Sequence, residues 1–477
     1  MRLFTLVKNI RCRIFGSSLV DIKSLHHNHS DVKEDGIFFC IDGEKSNGTE
    51  YVNEAIKLGA VAIVVKSEIF GLKNITQVIV KDVRKTMSLM ACNFYNNPAK
   101  KLKVIGVTGT NGKTTTTHML SGLLNGLGKK SAIIGTNGIR YFDKKIDTGM
   151  TTPDPIELQK IFFEFVKAGI EYVCMEVSAH AIFYNKLDGF IFEMIIFTNL
   201  TEDHLDFFKS MEEYFNAKKK IFETSHTKIA LINIDDNYGK KLFNSINIPK
   251  YTYSIYRDSN FRASILVYKN YNQWFYYNNQ KLKSKFLGEF NVYNLLSAIS
   301  CIDLLGVQVK NLQEIIDLLE EVDGRVNKIV IKNKLFIIDY AHTPDGLENI
   351  LKLCLELKMD KKLISVFGCG GNRETQKRSK MGEISSKYAD LTIITADNPR
   401  NEPLEIILND IEKGCVNNNY VVIKDRTEAI KYADKFSKSG DIILIAGKGA
   451  ENYMEINGRK IPYSDFDEIK KLEKIDD

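Results

Sequence analysis

The chain has 477 residues, of which 44% are hydrophobic and 26% are charged, as in soluble globular proteins and unlike disordered ones. The net charge of +6 is spread over the whole length, so the sequence predicts no nucleic-acid partner. A chain of this length exceeds what one hydrophobic core usually supports, and we expect two or three domains.

The sequence gives no sign of membrane insertion or secretion. No apolar segment is long enough to cross a bilayer. Residues Met1 to Ser18 are basic but lack the apolar core and cleavage site of a secretory signal, so we interpret them as a first helix. The eight cysteines form no C-x-x-C pair and no zinc-binding spacing, which favours buried free thiols in a reducing cytoplasm.

Residues 1–100 are predicted to form a small α/β domain. Apolar runs predict strands at Ile37–Ile41, Val61–Val65 and Gln77–Val80, and a helical pattern covers Val52–Leu58. The segment ends near Asn97-Pro98, before a glycine-rich motif.

Residues 101–324 alternate apolar strands with helical patterns. Such alternation implies right-handed crossovers and a mostly parallel, doubly wound sheet. Two further strands flank Lys269-Asn270 as a hairpin, and a helix follows at Asn291–Leu305. The strands are predicted at Val104–Thr108, Ala132–Ile134, Tyr172–Val177, Met194–Leu200 and Ile229–Ile234, and those of the hairpin at Ala263–Tyr268 and Gln273–Tyr277.

Residues 325–477 repeat this alternation after Gly324-Arg325 and predict a second doubly wound sheet, of Rossmann-like type. The fold class is therefore α/β, with three domains. The strands of this last segment are predicted at Leu335–Tyr340, Leu363–Gly368, Leu391–Thr395, Tyr420–Ile423 and Ile442–Ala446.

The most informative motif is the strand–turn–helix sequence VIGVTGTNGKTT at residues 104–115. In such a turn, backbone N–H groups at a helix N-terminus hold a polyphosphate, Lys113 reaches the terminal phosphates and the Thr114 hydroxyl binds Mg²⁺. Val107 stands where the pattern G-x-x-x-x-G-K-[ST] has glycine, so an ordinary glycine-rich turn is the alternative. Because strand, turn, lysine, hydroxyl and helix occur in order, we predict an ATP site.

Two later strand ends carry further polar residues. Glu176 ends one predicted strand, and His204 follows another in the sequence TNLTEDHLD. Ligands bind at the carboxyl ends of parallel strands, where Glu176 could complete a Mg²⁺ site with Thr114. A surface glutamate and a structural histidine are the alternatives for each residue taken alone.

These motifs together resemble the ATP-dependent Mur ligases of peptidoglycan synthesis and, more distantly, folylpolyglutamate synthetases. The resemblance covers about residues 28–455. It is carried by the segments 108–115, 175–178 and 199–204, and by Gly288–Asn294, Gly324-Arg325, Asp339–Asp345, Phe367–Gly371, Asp397–Arg400 and Gly447–Gly449.

The resemblance implies a ligase with an N-terminal UDP-sugar-binding domain, a central ATP-binding domain and a C-terminal amino-acid-binding domain. ATP would phosphorylate a substrate carboxylate, and an amine would attack the acyl phosphate to give an amide, ADP and phosphate. The residues implied for ATP are Gly109, Thr110, Asn111, Gly112, Lys113, Thr114, Thr115, Asn294, Arg325 and Asp339, and those for Mg²⁺ are Thr114, Glu176, His204 and Lys218.

Lys218 fits the family's Y-x-x-A-K pattern, in which the lysine is carbamylated. The resemblance thus implies that Lys113, His204 and carbamylated Lys218 are catalytic. A lysine reacts with CO₂ only when it is deprotonated, which requires a lowered pKa. Lys219 and Lys220 follow directly, and a solvated lysine face is the alternative.

The resemblance also assigns residues to a UDP-N-acetylmuramoyl dipeptide. Two departures fall in this set: Asn28-His29-Ser30 stands where the family has Asp-Ser-Arg, and Lys186 stands where it has arginine. Lysine keeps the charge but loses the two-pronged grip of a guanidinium. The residues implied are Ser30, Thr151, Thr152, Ser178, Tyr184 and Lys186.

The sequence DNPR at residues 397–400 resembles that of members that add meso-diaminopimelate rather than L-lysine. Arg400 would pair with the distal carboxylate of diaminopimelate and repel the lysine ammonium. Ala450 replaces a family histidine. The residues implied for the diamino acid are Arg373, Asp397, Asn398, Pro399, Arg400, Gly447 and Glu451.

The implied function is the addition of meso-diaminopimelate to UDP-N-acetylmuramoyl-L-alanyl-D-glutamate in the cytoplasm. The alternatives are a relative that adds L-lysine or another amino acid, or one that uses a different carboxylate acceptor. A non-catalytic nucleotide-sensing protein is a third possibility, which the complete set of Lys113, Glu176 and His204 disfavours. We expect small-molecule substrates, a monomer, and no nucleic-acid or membrane partner.

Overall fold

The computed structural model describes residues 1–43, 47–269 and 272–474. Its strands form three large sheets and one two-stranded ribbon. Each large sheet takes its strands from one of the three segments distinguished in the sequence, and the division into domains at residues 100 and 324 stays a prediction.

The N-terminal sheet has five strands in the order β1-β5-β4-β3-β2. Strands β2 to β5 are parallel, and β1 joins the edge antiparallel to β5. The elements are α1 (Leu3–Leu6), β1 (Arg13–Phe15), β2 (Ser24–His26), β3 (Gly36–Phe39), α2 (Val52–Lys57), β4 (Ala60–Val65), β5 (Thr76–Ile79) and α3 (Val83–Phe94), with 3₁₀ turns at His29–Asp31, Gly48–Tyr51 and Pro98–Lys101.

The prediction of a first helix over Met1 to Ser18 is wrong. Only the four residues of α1 are helical, and Leu3 and Leu6 are its fully buried side chains. Gly16 then adopts a φ of 113°, and β1 pairs with β5. The backbone groups of this segment are satisfied by a sheet edge, which a periodicity argument on the segment alone does not detect.

The central sheet has eleven strands in the order β16-β15-β14-β13-β12-β11-β6-β10-β7-β8-β9. The seven strands from β14 to β7 are parallel, and an antiparallel hairpin extends each end. The strands are β6 (Lys103–Thr108), β7 (Ser131–Gly135), β8 (Gly138–Tyr141), β9 (Lys144–Ile146), β10 (Tyr172–Glu176), β11 (Phe192–Phe197), β12 (Thr227–Asn233), β13 (Lys250–Ser254), β14 (Phe261–Lys269), β15 (Asn272–Tyr277) and β16 (Gln280–Ser284).

Helices cover both faces of this sheet and enclose two hydrophobic cores. Phe162 and Phe165 belong to the core on one face, and Leu120 and Leu296 to the core on the other. The predicted hairpin is confirmed, although Asn270 of its turn lies outside the described residues. The helices are α4 (Lys113–Gly126), α5 (Pro155–Lys167), α6 (Ala179–Phe183), α7 (Met211–Lys219), α8 (Asn237–Ser245), α9 (Glu289–Leu304) and α10 (Leu312–Leu318), with a 3₁₀ turn at Lys220–Phe222.

The C-terminal sheet has the order β17-β18-β22-β19-β20-β21, with β18 to β21 parallel and β17 antiparallel at the edge. It too has a core on each face. The elements are β17 (Asn327–Ile331), β18 (Lys334–Asp339), α11 (Pro344–Lys358), β19 (Leu363–Phe367), α12 (Gln376–Tyr388), β20 (Leu391–Ile394), α13 (Leu404–Glu412), β21 (Tyr420–Val422), α14 (Arg426–Phe436), β22 (Ile442–Ala446), β23 (Tyr453–Ile456), β24 (Arg459–Pro462) and α15 (Asp465–Lys471), with a 3₁₀ turn at Leu472–Lys474.

All eight cysteines are free, as predicted, and six of them are buried. No helix in the described part of the chain is long and apolar enough to cross a membrane.

Candidate active site

A cleft of about 920 Å³ lies where the carboxyl ends of the central strands face the C-terminal segment. Its walls come from the turn after β6, the ends of β10 and β11, the start of α9, and the loops after β18, β19 and β20. This is the position at which open α/β sheets bind ligands.

The glycine-rich turn between β6 and α4 forms part of the cleft wall. Gly112 has a φ of 86°, and a Cβ added there would lie 2.5 Å from Asn294 Oδ1. A Cβ at Gly109 would lie 1.9 Å from Thr198 Oγ1. Because neither position has room for a side chain, the turn keeps the close backbone approach that a phosphate needs at the N-terminus of α4.

Lys113 folds back over this turn. Its Nζ donates to the carbonyl oxygens of Gly109, at 3.1 Å, and Thr110, at 2.8 Å. Burial lowers the pKa of Lys113, although the nearby carboxylates of Glu176 and Asp203 act in the opposite direction. The lysine and two acidic groups thus share one wall of the cleft.

Glu176 ends β10 with a side chain only 1% exposed. Its two carboxylate oxygens accept hydrogen bonds from Thr136, one from the backbone N–H at 2.8 Å and one from the hydroxyl at 3.1 Å. The Thr114 hydroxyl lines the same cleft and accepts a hydrogen bond from Arg325 Nη2 at 3.2 Å.

His204 is held in an unusual backbone conformation next to Asp203. Its φ is 58°, and its Nε2 lies 3.3 Å from Asp203 Oδ2. Burial lowers the pKa of His204 to about 4 despite this carboxylate, so the imidazole is neutral at pH 7 and can act as a ligand. His180 packs against it edge to face, with ring centroids 4.9 Å apart.

Lys218 is the one buried member of the lysine run at the end of α7. It is 2% exposed, whereas Lys220 is exposed. Its Nζ donates to the carbonyl oxygen of Gly109 at 3.1 Å and lies 4.8 Å from the centre of the Tyr214 ring. Burial, and then the charge of Lys113, lower the pKa of Lys218 well below the usual lysine value. The described residues include no carboxylate in ion-pair contact with it.

The C-terminal segment meets the turn through three of the predicted ATP residues. Arg325 stacks on Tyr340, 4.4 Å from the ring centre, and reaches Thr114. Asp339 accepts from the backbone N–H groups of Val326 and Ala341 at 2.9 and 2.8 Å. Asn294 and every predicted residue of the turn except Gly109 also line the cleft, and Gly109 contributes its carbonyl oxygen.

Four of the six residues predicted for the UDP-linked substrate line the cleft, namely Thr151, Thr152, Ser178 and Lys186. The Thr152 hydroxyl donates to the Glu176 carbonyl oxygen at 3.0 Å and accepts from the Ser178 N–H at 3.1 Å. Lys186 pairs with Asp154 at 2.7 Å. The side chains at this end of the cleft are therefore fixed by one another.

Ser30 and Tyr184 are not brought into the cleft. The Ser30 hydroxyl donates to Asp31 at 3.4 Å in the N-terminal segment. The Tyr184 ring packs under the Arg84 guanidinium, 4.5 Å from its centre. Neither residue contacts the groups described above.

All but one of the residues predicted for the diamino acid line the other end of the cleft, and the exception is Pro399. Arg400, with a φ of 53°, pairs through Nε with Glu455 at 3.1 Å and donates from Nη1 to the Gly371 carbonyl at 2.8 Å. Asn398 donates to Glu451 at 2.8 Å. The members that line this end are Arg373, Asp397, Asn398, Arg400, Gly447 and Glu451.

Lys448, which sequence reasoning did not select, ties these groups together. It is fully buried, and its Nζ lies 3.1 Å from Asn398 Oδ1, 3.1 Å from Glu451 and 3.6 Å from Asp397. The cation balances two carboxylates in a small space and so fixes the side chains that line this end of the cleft.

The structure adds other cleft residues that sequence reasoning missed. His342 and Asp345 follow Asp339 in the motif DYAHTPD, and Asp345 accepts a hydrogen bond from Asn111 Nδ2 at 2.7 Å. Their presence in that motif was the available signal. Lys377 also lines the cleft, but its helix shows nothing in sequence beyond basic residues.

Sequence comparisons agree with this geometry. Residues 107–302 match the Mur ligase middle domain, and residues 324–449 match the domain described as Mur ligase, glutamate ligase domain. The chain belongs to the Mur ligase family, whose members are ATP-dependent ligases that form amide bonds. It is therefore an enzyme of this class.

The full-length relatives narrow the comparison to one activity. A protein of Clostridium acetobutylicum named UDP-N-acetylmuramoyl-L-alanyl-D-glutamate–2,6-diaminopimelate ligase 1 is 39% identical over 99% of both chains. The ligase of that name from Aquifex aeolicus is 39% identical over 94% of this chain and 93% of its own. A solved structure of a ligase with this name covers 98% of both chains, with 29% identity and a TM-score of 0.69.

A more distant solved structure agrees in fold alone. It is the MurF ligase from Thermotoga maritima in complex with ADP, which is 18% identical. The match covers 90% of this chain and 94% of that chain, with a TM-score of 0.62. The predicted three-domain α/β fold is confirmed by these comparisons.

Proposed function

We propose that this chain joins 2,6-diaminopimelate to the D-glutamate carboxylate of UDP-N-acetylmuramoyl-L-alanyl-D-glutamate, using ATP to activate that carboxylate. The observation that carries the proposal is that one cleft contains both the phosphate-binding turn with Lys113 and, at its other end, Arg400. The names of the full-length relatives support the choice of substrates.

The first step is transfer of the γ-phosphoryl group of ATP to a carboxylate oxygen. A new P–O bond forms, the bond to the β-phosphate oxygen breaks, and ADP leaves. Two anions approach each other in this step, so catalysis depends on placing positive charge around them. The backbone N–H groups of the turn at residues 109–115 and the Lys113 ammonium supply such charge from the central segment.

The donor set fits Mg²⁺, which would neutralise phosphate charge when it is bound. Glu176 is buried, and no cationic side chain in the described part of the chain pairs with its carboxylate. Carboxylate and hydroxyl oxygens suit this hard cation. Glu176, Thr114 and His204 would hold it.

Carbamylation of Lys218 is part of the proposal. The lowered pKa of Lys218 leaves an amine that can attack CO₂, forming an N–C bond and releasing one proton. The product replaces a buried cation next to Lys113 with an anion, which removes a like-charge contact and adds oxygen ligands to the metal site.

In the second step the amine of the diamino acid attacks the acyl phosphate. A C–N bond forms, the C–O bond to phosphate breaks, and phosphate and a proton are released. Arg400 would orient the distal carboxylate of the diamino acid, because its Nη2 has no hydrogen-bond partner in the described part of the chain. At the other end of the cleft, Thr152, Ser178 and Lys186 would bind the dipeptide.

The setting of the enzyme follows from its substrates. A nucleotide-linked precursor and ATP place the reaction in the cytoplasm, and eight free cysteines are compatible with that reducing compartment. Because one chain supplies every wall of the cleft, we propose that the monomer is active.

Amine-dependent formation of ADP tests the proposed function. The purified protein is incubated with ATP, Mg²⁺ and UDP-N-acetylmuramoyl-L-Ala-D-Glu, with either meso-diaminopimelate or L-lysine, and the product is identified by mass. We expect a tripeptide product with diaminopimelate and at least about tenfold slower turnover with lysine. Product formed with lysine alone would contradict the assignment.

A further inference from the structure

We propose that Lys377 is a further catalytic residue, which binds the phosphoryl group while it passes from ATP to the substrate carboxylate. The inference rests on the proposed function, since it concerns the same cleft. It assigns to the C-terminal segment one of the positive charges that the transfer needs.

The position of Lys377 is fixed by its neighbour in the first turn of α12. Arg378 is fully buried, and its guanidinium donates to Glu402 at 2.7 and 2.8 Å and to Asp410 at 3.2 Å. Glu402 also accepts from the backbone N–H of Asn372 at 2.8 Å. The start of the helix and the loop before it are therefore held rigidly, and the adjacent Lys377 has a defined direction.

The same part of α12 is docked on the central segment near Asp203. Lys380, one turn after Lys377, forms an ion pair with Glu202. On the other side, the backbone N–H of Leu205 stabilises the charged form of Glu374. Residues on either side of Lys377 thus contact residues 202–205, and Lys377 itself lines the cleft. Its side chain lies opposite the wall formed by Lys113 and Lys218.

Lys377 has no ion pair or hydrogen bond in the described part of the chain, unlike Arg378 and Lys380 beside it. It also lies in the first turn of a helix, where the macrodipole disfavours a cation. The Thr375 side chain does not cap this helix. A cation that no protein group compensates, at the positive end of a helix and inside a cleft, is arranged for an anionic ligand.

Electrostatics inside the cleft agree with this position. Burial lowers the pKa of His342 to about 4, and the charge of Lys377 is the next largest cause. Lys377 therefore lies close enough to His342, which precedes α11, to act on groups across the cleft. Phosphate would meet Lys377 on one side and Lys113 on the other.

The role is confined to the transfer step. As the carboxylate oxygen–phosphorus bond forms and the bond to ADP breaks, charge spreads over the three other phosphoryl oxygens. A lysine on the C-terminal side would stabilise these oxygens and would also hold the acyl phosphate until the amine attacks. ADP lacks this phosphoryl group, so Lys377 would distinguish ATP from ADP.

Replacement of Lys377 by methionine tests the assignment, with Lys380→Met as the matched control on the same helix. For K377M we expect kcat to fall about 100-fold, with the KM for the diamino acid changed less than about threefold. Lys377→Arg should recover about a tenth or more of the parent kcat, because the charge is restored. Lys380→Met should keep kcat within about threefold of the parent.

Nucleotide binding by the same variants gives a readout that needs no turnover. We expect K377M to bind ATP about fivefold or more weakly than the parent, with its Kd for ADP unchanged. Equal weakening for ATP and ADP, or a loss confined to the KM of the diamino acid, would overturn the assignment. If the parent protein forms no amide at all, the proposed function fails, and the ratio of ATP to ADP affinity still decides the role of Lys377.

Discussion

The side chain of Asn111 donates a 2.7 Å hydrogen bond to Asp345 and so joins the phosphate-binding turn to the first turn of α11. Asn111 also receives a hydrogen bond from the Thr198 hydroxyl at its carbonyl oxygen, at 2.6 Å. One residue of the turn is therefore held by both the central and the C-terminal segments. This contact couples the ATP site to the position of the segment that carries Arg400.

Removing the Asp345 carboxylate should weaken this coupling without unfolding the protein. For Asp345→Ala we expect kcat/KM for ATP to fall about fivefold to tenfold, because a charge-assisted hydrogen bond contributes about 1.5 kcal/mol. The free energy of unfolding should change by less than about 1 kcal/mol, since burial already raises the pKa of Asp345 and disfavours its charge. Steady-state kinetics and denaturant unfolding measure the two effects.

A matched control for this variant is Asp360→Ala, on an exposed turn after α11. A parent-like kcat/KM for ATP in D345A would show that the Asn111 contact does not position the turn.

Arg400 should decide between diamino acids. Arg400→Lys keeps the charge but loses the guanidinium fork, and we expect kcat/KM for meso-diaminopimelate to fall about 30-fold to 100-fold. The KM for ATP should not change, because Arg400 is in the end of the cleft lined by Asn398 and Glu451. Competition between diaminopimelate and lysine, followed by product mass, measures the preference.

The control for this experiment is Arg459→Lys, an exposed arginine on β24 whose neighbouring strand contacts Arg400. An unchanged preference in R400K would assign diaminopimelate recognition to other residues.

Glu176 should govern the requirement for divalent metal. Chelation of Mg²⁺ should abolish turnover in the parent protein, and added Mg²⁺ should restore it. In Glu176→Gln the amide is a weaker ligand than the carboxylate, so we expect half-maximal activity at about tenfold higher Mg²⁺. Titration of activity against free Mg²⁺ measures this shift.

Glu171→Gln, before the start of β10, is a suitable control because its side chain is exposed. Parent-like Mg²⁺ dependence in E176Q would remove this carboxylate from the metal site.

His342 should make stability depend on acid pH. Its folded-state pKa is about 4, below the ordinary value of 6.5, because burial disfavours the imidazolium. Above pH 6.5 neither state binds the proton, and no stability is lost. As the pH falls from 6.5 towards 4, only the unfolded chain binds it, so the free energy of unfolding falls by roughly 1 to 2 kcal/mol after allowance for partial solvent access.

His342→Asn should remove that part of the decline, and denaturant unfolding at pH 7 and pH 4.5 measures it. His29→Asn, outside the cleft, is the control for loss of a histidine. An equal decline in H342N and the parent would contradict the assigned pKa.

The sequence was most informative where local patterns have a single structural outcome. The β-branched runs before Thr108 and Glu176 predict strands, which appear within about a residue of the predicted ends. The predicted helix at Asn291–Leu305 is observed as Glu289–Leu304. The motifs place Glu176 and Lys113 at adjacent strand ends because the parallel topology follows from alternating strands and helices.

Features that depend on partners distant in the chain could not be predicted. Strand β1 exists because β5 offers it an edge, so the predicted first helix was wrong. Lys377 reaches the cleft only because Arg378 fixes the start of α12 and Lys380 meets Glu202. Ser30 and Tyr184 were taken from the family pattern, and the structure does not bring them to the cleft.

The central claim is that ATP phosphates and a substrate carboxylate meet between the ends of the central strands and the C-terminal segment. A crystal structure with a non-hydrolysable ATP analogue, Mg²⁺ and UDP-N-acetylmuramoyl-L-Ala-D-Glu tests it most directly. We predict that the γ-phosphate contacts Lys113, that the metal lies against Glu176, and that the D-glutamate carboxylate faces the γ-phosphorus. Phosphates bound away from Lys113 and Glu176 would contradict the account.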